Sequence, residues 1–129
     1  MNKIQLHYLK LWKGVGCLLV GVVVILSVIS PSSNVELFRI NDKIGHFLAY
    51  GTLMGWFAQW HDSKQYKYLA TIFIAQGIGL EIVQTFLPER VGSFLDILAN
   101  SLGVLIAWGL ANTFLGKILF HFENTILRK

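Results

Sequence analysis

The chain has 129 residues, 54% of them hydrophobic and 14% charged, which excludes a small soluble domain and indicates an integral membrane protein. Its single cysteine, Cys17, lies in an apolar run and therefore excludes a disulfide framework and a thiolate metal site. The formal net charge of +4 does not indicate a nucleic-acid partner, because the basic residues flank apolar runs rather than form a stripe.

The first apolar run predicts a membrane-spanning helix over about residues 11–30, long enough to cross ~30 Å of hydrocarbon. Lys3 and Lys10 precede it and Lys13 lies in its first turn, as basic residues would in a secretory signal. No small-residue cleavage motif follows, however, and Pro31 comes directly after Ser30. We therefore predict a helix that is retained.

A second span is predicted over residues 43–60, after a break at Pro31 and a part-apolar connection that could lie at the membrane interface. Asn41 and Asp42 would supply the N-cap oxygens of this helix. Gly51 and Gly55 form a G-x-x-x-G pair, which either permits close helix approach or is a chance match.

A polar hairpin at 61–67 leads to a third predicted span, 68–87, which Pro88 would end. Ser93 would cap a fourth span, 94–115, and the remaining tail alternates basic and apolar residues as an interfacial helix does. The predicted fold is all-α: a four-helix transmembrane bundle with a short interfacial C-terminal helix, in a single domain over 1–129.

The distribution of basic residues predicts the orientation. Eight lysines and arginines lie in the N-terminal arm, the middle hairpin and the tail, against three in the other two connections. By the positive-inside rule, both termini are cytoplasmic and the chain is a multi-pass protein of the cytoplasmic membrane.

Polar side chains recur near one end of three of the predicted helices, and helical spacing aligns those of each helix on one face. They are Asp42, His46 and Tyr50 in the second span, Glu81 and Gln84 in the third, and Asp96 and Asn100 in the fourth, with Lys43 and Arg90 nearby. An ionisable group in hydrocarbon costs at least ~2.5–3.5 kcal/mol, so such residues face a protein interior or a wet cavity. We expect them to meet at one depth, in an outward-facing polar cavity.

Three interpretations of this cluster remain open. In the first, His46, Glu81 and Asp96 perform acid–base catalysis, with a carboxylate orienting the imidazole. In the second, the charges form a structural ion-pair network. In the third, the cluster binds an anionic envelope component through Lys43 and Arg90, and Asp42, Tyr50, Gln84 and Asn100 complete the binding site.

A metal or cofactor site is only weakly indicated. One histidine with carboxylates, without an H-E-x-x-H motif or a histidine pair, is a poor metal signature. No serine lies in a G-x-S-x-G motif, and the sequence contains no glycine-rich phosphate loop. We therefore expect no metal and no cofactor, and the sequence leaves open whether the protein is an enzyme.

Three linked motifs resemble the VanZ-like family of small bacterial membrane proteins over about residues 40–110. They are Asp42-Lys-x-x-His46-x-x-x-Tyr50, Glu81-x-x-Gln84-x-Phe86-x-Pro88-x-Arg90 and Asp96-x-x-x-Asn100-x-x-Gly103. The resemblance implies a multi-pass protein of the bacterial cell envelope, and the founding member is associated with resistance to the glycopeptide teicoplanin. It implies no established reaction. Many members carry an acidic residue where this chain has Ser93, which disfavours a full metal site.

The residues and the resemblance together predict a protein that binds, and could modify, an anionic lipid-linked or peptidoglycan-related envelope molecule. Its other expected partner is the lipid bilayer, and nucleic acid is not expected. The sequence leaves open whether the protein forms oligomers. The alternative is a non-enzymatic assembly protein whose polar cluster is structural.

Overall fold

The computed structural model describes residues 6–29, 36–86 and 94–127, with the side chains of 29, 36–42 and 127 excepted. These residues form helices and turns, without a strand. The four long helices are α1 (Leu9–Ile29), α2 (Glu36–Ala58), α3 (Tyr66–Thr85) and α4 (Phe94–Ala111). A C-terminal segment follows, made of a 3₁₀ turn (Phe114–Lys117), α5 (Ile118–Phe122) and a π-helical turn (Glu123–Leu127).

Successive long helices run in opposite directions, so each end of the bundle gathers particular residues. The end of α1 meets the end of α3 through Ser27 and Gln84, and the beginnings of α2 and α4 meet through Lys43 and Asp96. We call this the polar end. At the opposite end, which we call the terminal end, the beginning of α1 meets the C-terminal segment.

The α2 and α4 helices approach most closely where two glycines face each other. A Cβ atom on Gly51 would lie 3.3 Å from the carbonyl oxygen of Gly103, and one on Gly103 would overlap the carbonyl oxygen of Phe47. A Cβ on Gly55 would meet nothing within 4 Å. Gly51 therefore permits the close crossing, and the residue that it faces is Gly103 on α4. Gly55, the other glycine of the G-x-x-x-G pair, does not lie at this contact.

The apolar core lies between the two ends and separates the polar end from the terminal end. Leu53, Met54, Phe73 and Val104 are buried there, on α2, α3 and α4. A second apolar cluster at the terminal end holds Trp12 against residues of the C-terminal segment. The side chains at the polar end consequently lie above an apolar layer.

Three stretches, Leu9–Val28, Ser63–Thr85 and Phe94–Ala111, form helices long and apolar enough to span a membrane. They correspond to the first, third and fourth predicted spans, with end points that differ by a few residues. The α2 helix has 23 residues but is not among them. Its first half carries charged residues, which lower its hydropathy.

The predicted beginning of the second helix is wrong. The α2 helix begins at Glu36, seven residues before the predicted residue 43, so the backbone of Asn41 and Asp42 is helical and neither residue is an N-cap. No glycine or proline interrupts residues 36–42, and apolar residues recur there, so the helix extends upstream. Asparagine and aspartate are common at N-cap positions, but they also occur inside helices.

Candidate functional site

Three ionisable side chains from three helices meet at the polar end of the bundle. Ligand atoms of His46 on α2, Glu81 on α3 and Asp96 on α4 all lie within 4.8 Å of one another. Both carboxylates are 4% exposed, and the histidine is half-buried. We call these three residues the polar cluster. Buried charges of like sign repel strongly at this distance, so the cluster requires a proton or a cation to be stable.

Lys43 supplies one such cation. Its Nζ atom lies 2.9 Å from Oδ1 of Asp96, which joins α2 to α4. The lysine side chain is 35% exposed, so its methylene groups pack along the helices while its ammonium reaches the edge of the cluster. His46 and Glu81 make further interactions of their own.

A second layer of polar side chains lies one helical turn toward the core. Tyr50 follows His46 by four residues, and Asn100 follows Asp96 by four, a displacement of about 6 Å along each helix. Both are buried, at 1% and 2% exposure. Tyr50 lies near the amide of Gln76 on α3, but neither Tyr50 Oη nor Gln76 Nε2 has a partner in hydrogen-bond geometry.

Four buried polar atoms in this region have no hydrogen-bond partner among the described residues. They are Tyr50 Oη, Gln76 Nε2, Gln84 Oε1 and Asn100 Oδ1. Buried polar atoms are almost always paired with protein, water or a ligand. Their concentration beside the polar cluster, rather than through the whole bundle, indicates a region built to hold polar groups.

Gln84 holds α1 against this end of the bundle. Its Nε2 donates to the carbonyl oxygen of Ser27 at 2.7 Å, and the hydroxyl of Ser27 donates to its own helix at Val23. The carbonyl of Ser27 needs an outside donor because it lies in the last turn of α1. The remaining amide oxygen of Gln84 is left for another partner.

Two predicted site residues lie partly or wholly outside the described residues. The backbone of Asp42 is part of α2, but its side chain lies outside the described residues, and so does all of Arg90. The other seven, Lys43, His46, Tyr50, Glu81, Gln84, Asp96 and Asn100, are described and occupy the polar half of the bundle.

An apolar groove lies elsewhere, on the terminal half of the bundle. Its volume is about 360 Å³, and it runs between α2, α4 and the C-terminal segment. Gly55, Thr52, Gln59 and Leu110 are among its lining residues, and none of its lining residues belongs to the polar cluster. The groove is therefore not the polar cavity that the sequence predicted.

Glu123, a buried carboxylate at the terminal end, was not among the residues that the sequence pattern indicated. Oε1 accepts a hydrogen bond from the amide of His7 at 2.6 Å, and Oε2 accepts from the amide of Tyr8 and from the indole of Trp12, both at 2.9 Å. Burial raises the pKa of Glu123, but these three donors and the charge of His7 outweigh it and hold the pKa below its ordinary value. The only sequence signal was a glutamate among apolar residues.

The chemistry of the polar cluster follows from its donors. An imidazole beside two carboxylates can transfer protons or bind a cation, and the neighbouring ammonium can hold an anionic group. The profile of the VanZ/LLP1 family matches residues 5–116, most of the chain. The chain belongs to the VanZ/LLP1 family.

The predicted resemblance to the VanZ-like family is thus confirmed, over a longer range than the motifs had covered. The match begins before α1 and ends in the turn after α4, so the VanZ/LLP1 region comprises all four long helices. No curated protein and no solved structure matches the chain.

Proposed function

We propose that this VanZ/LLP1 protein spans the bacterial cytoplasmic membrane several times, with both termini in the cytoplasm, and binds an anionic envelope molecule at its polar end. The ligand is a lipid-linked or peptidoglycan-related molecule whose phosphate or carboxylate contacts Lys43 and Arg90. Side chains of the polar cluster and its second layer then complete the binding site in an outward-facing cavity.

One observation carries this proposal: the ammonium of Lys43 is partly exposed, beside buried carboxylates and buried polar atoms without protein partners. An ammonium at the edge of an apolar bundle attracts phosphate headgroups, which approach from the membrane surface. The unpartnered atoms of Tyr50 and Asn100 supply a donor and an acceptor for the polar part of such a ligand. Arg90 follows α3 in sequence and adds a second cation that favours bidentate contacts.

Proton transfer to or from the bound molecule is compatible with the same site, since His46 adjoins two carboxylates. Binding requires only the two cations and the unpartnered polar atoms, without proton transfer. We therefore propose binding as the primary function.

The second candidate function is non-enzymatic assembly, with the polar cluster as a structural network. The ion pair between Lys43 and Asp96 favours it, because this pair already joins two helices at 2.9 Å. Polar contacts between membrane helices typically contribute ~0.6–2 kcal/mol each. The two candidates predict different effects of a substitution at Lys43 or Arg90. The binding candidate predicts a folded protein with weaker ligand binding, and the structural candidate predicts an unfolded protein.

Binding is tested with the full chain in nanodiscs that contain a polyprenyl phosphate, measured by native mass spectrometry against nanodiscs of phosphatidylglycerol or phosphatidylcholine. We expect preferential binding of the polyprenyl phosphate, and about 10-fold weaker binding in Lys43→Gln and in Arg90→Gln, the loss of one charge-assisted hydrogen bond. The exposed lysine of the hairpin provides the control, Lys64→Gln. If Lys43→Gln and Arg90→Gln unfold instead, the structural candidate is supported; if they stay folded and bind equally, the binding proposal is wrong.

A role in glycopeptide resistance follows if the ligand is a cell-wall precursor. Expression of the chain in a susceptible Gram-positive bacterium should then raise the teicoplanin concentration that inhibits growth. Lys43→Gln should abolish this rise at an equal amount of protein in the membrane. Full protection by a folded Lys43→Gln variant would show that resistance does not depend on the polar end.

A further inference from the structure

The polar cluster offers three ligand atoms in an arrangement close to that of a metal site. The three atoms lie within 4.8 Å of one another, so one point lies no more than about 2.8 Å, which is 4.8 Å divided by √3, from all of them. Zinc lies ~2.0–2.2 Å from imidazole nitrogen and carboxylate oxygen, so shifts of less than about 1 Å in each side chain complete the coordination. Rotation about side-chain bonds supplies such shifts while the helices remain in place.

The three ligands stand on helices rather than on loops, and the contact of Gly51 with Gly103 fixes the distance between α2 and α4 below the cluster. The ion pair of Lys43 with Asp96 is a second link between these helices when no ion is bound. Sites built on packed helices hold their geometry more tightly than sites on loops. The cluster therefore does not depend on a flexible segment for its geometry.

A second and independent observation is the pair of unpartnered polar atoms beneath the cluster. Asn100 lies one turn below Asp96, and its amide packs on Gly77, which lies one turn below Glu81. Tyr50 lies one turn below His46 and faces Glu81. Tyr50 Oη and Asn100 Oδ1 are both buried without a hydrogen-bond partner among the described residues.

These two atoms have the chemistry of the outer shell of a metal site. Ligating carboxylates and imidazoles are normally held by further hydrogen bonds, which orient them and raise their basicity. The phenol of Tyr50 can donate to a ligating carboxylate, and the carbonyl of Asn100 can accept from a metal-bound water or from an imidazole N–H. A bound ion would thus use the buried polar atoms that the protein alone leaves unpaired.

Charge favours the same ligand. Glu81 and Asp96 are two carboxyl groups buried in an apolar bundle, and one divalent cation neutralises both when they are ionised. Lys43 need not oppose that cation, because its side chain is 35% exposed and can turn toward the membrane surface. In the absence of an ion, Lys43 compensates Asp96.

We infer that His46, Glu81 and Asp96 bind one divalent transition-metal ion such as Zn²⁺ or Mn²⁺, contrary to the expectation from the sequence. The imidazole disfavours Mg²⁺ and Ca²⁺, which prefer all-oxygen sites, and the two carboxylates disfavour Cu(I). Three protein ligands leave coordination positions open, as in catalytic rather than structural zinc sites. This inference does not rest on the proposed function, since metal binding is measured without an envelope ligand.

The inference is tested by calorimetry on the full chain in detergent micelles, after removal of metals with a chelator. We expect one Zn²⁺ or Mn²⁺ per chain and much weaker binding of Mg²⁺. His46→Gln, Glu81→Gln and Asp96→Asn should each weaken binding more than 100-fold, and Asn100→Ala by about 10-fold to 100-fold. Asp62→Asn and His121→Gln, at the other end of the bundle, are the matched controls and should bind as the wild type does.

If the variants fail to fold, a measurement on the unsubstituted protein tests whether a histidine binds the metal ion. Electron spin-echo spectroscopy of the Mn²⁺-loaded wild type should reveal coupling to a single imidazole nitrogen, which His121→Gln leaves unchanged. Three outcomes would overturn the inference: no stoichiometric binding, binding that the three folded cluster variants retain, or bound Mn²⁺ without nitrogen coupling. Equal affinity for Mg²⁺ would also overturn it, because the imidazole would then play no part.

Discussion

The ammonium of Lys43 lies 2.9 Å from a carboxylate oxygen of Asp96, and this ion pair joins α2 to α4 at the polar end of the bundle. Asp96 is buried, whereas Lys43 is partly exposed. The two partners therefore differ in what their removal costs. Loss of the lysine leaves a buried carboxylate without its ammonium, while loss of the carboxylate leaves an ammonium that can turn toward solvent.

We accordingly expect Lys43→Met to lower the free energy of unfolding by about 1–3 kcal/mol, because Asp96 remains buried without the ammonium that pairs with it. The double variant Lys43→Met with Asp96→Leu should recover part of that loss, since an apolar pair can replace a buried ion pair. The measurement is a double-mutant cycle of unfolding in sodium dodecyl sulfate, followed by circular dichroism. Lys64→Met is the control, and strictly additive losses would show that the pair is not coupled.

The glycine contact between α2 and α4 gives a prediction whose sign depends on the position. Gly103→Ala should lower the free energy of unfolding by about 1–3 kcal/mol, because its Cβ would overlap the carbonyl oxygen of Phe47 and separate the helices. Gly55→Ala, on the same helix as Gly51, should be neutral or stabilising by up to about 1 kcal/mol, since its Cβ meets nothing. Unfolding curves of the two variants test this, and equal effects would contradict the crossing.

Glu123 should make the contact between the two terminal segments sensitive to acid. Its pKa is lower in the folded chain than the ordinary value of 4.5, so the carboxylate stabilises the fold above that pH. This stability is lost as the pH falls through the lowered pKa. Glu123→Gln should remove the acid dependence and cost about 1.5–3 kcal/mol, because one amide oxygen cannot replace a carboxylate that accepts from three donors.

The indole N–H resonance of Trp12 reports on this contact directly, since it donates to Glu123. In the wild type it should move on acidification below about pH 4.5, and in Glu123→Gln it should stay at one position. Asp62→Asn, which alters a carboxylate of the middle hairpin, is the control and should retain the wild-type response. A Trp12 resonance that titrates equally in Glu123→Gln would mean that another group is responsible.

The proposed orientation is tested through the single cysteine. In a Cys17→Ala background, Lys64→Cys should react with a membrane-impermeant maleimide only after the cells are opened. Ser33→Cys, in the connection between α1 and α2, should react in intact cells. The expectation follows from the excess of basic residues in the hairpin and terminal flanks. The reverse labelling pattern would invert the topology and place the polar end in the cytoplasm.

The helices whose formation depends on one dominant physical requirement were predictable from the sequence. The apolar runs around α1, α3 and α4 must be helical to satisfy their backbones in a membrane, so those helices were predictable. The beginning of α2 was not, because Asn41 and Asp42 have the composition of a cap, whereas the helix begins at Glu36 and continues through both residues. Helical spacing placed His46, Glu81 and Asp96 on their respective faces.

Their mutual distance, in contrast, depends on how the helices cross. The contact of Gly51 with Gly103 determines that crossing, and nothing in the sequence distinguishes Gly51 from Gly55 in this respect. Glu123 was missed for a similar reason. Its three donors lie more than 100 residues away in sequence, so no local pattern could indicate that its carboxylate is buried.

The most direct test of the account is a distance measurement between the polar cluster and the phosphorus of a bound ligand. The protein is labelled with ¹⁵N-histidine, reconstituted with a polyprenyl phosphate, and examined by ¹⁵N–³¹P dipolar recoupling in the solid state. His46 is the one histidine of the chain at the polar end, since His7, His61 and His121 lie at the terminal end. We predict dephasing of one histidine signal that disappears in His46→Gln; dephasing that persists in this variant, or none in the wild type, would contradict the proposal that the polar cluster binds the anionic headgroup.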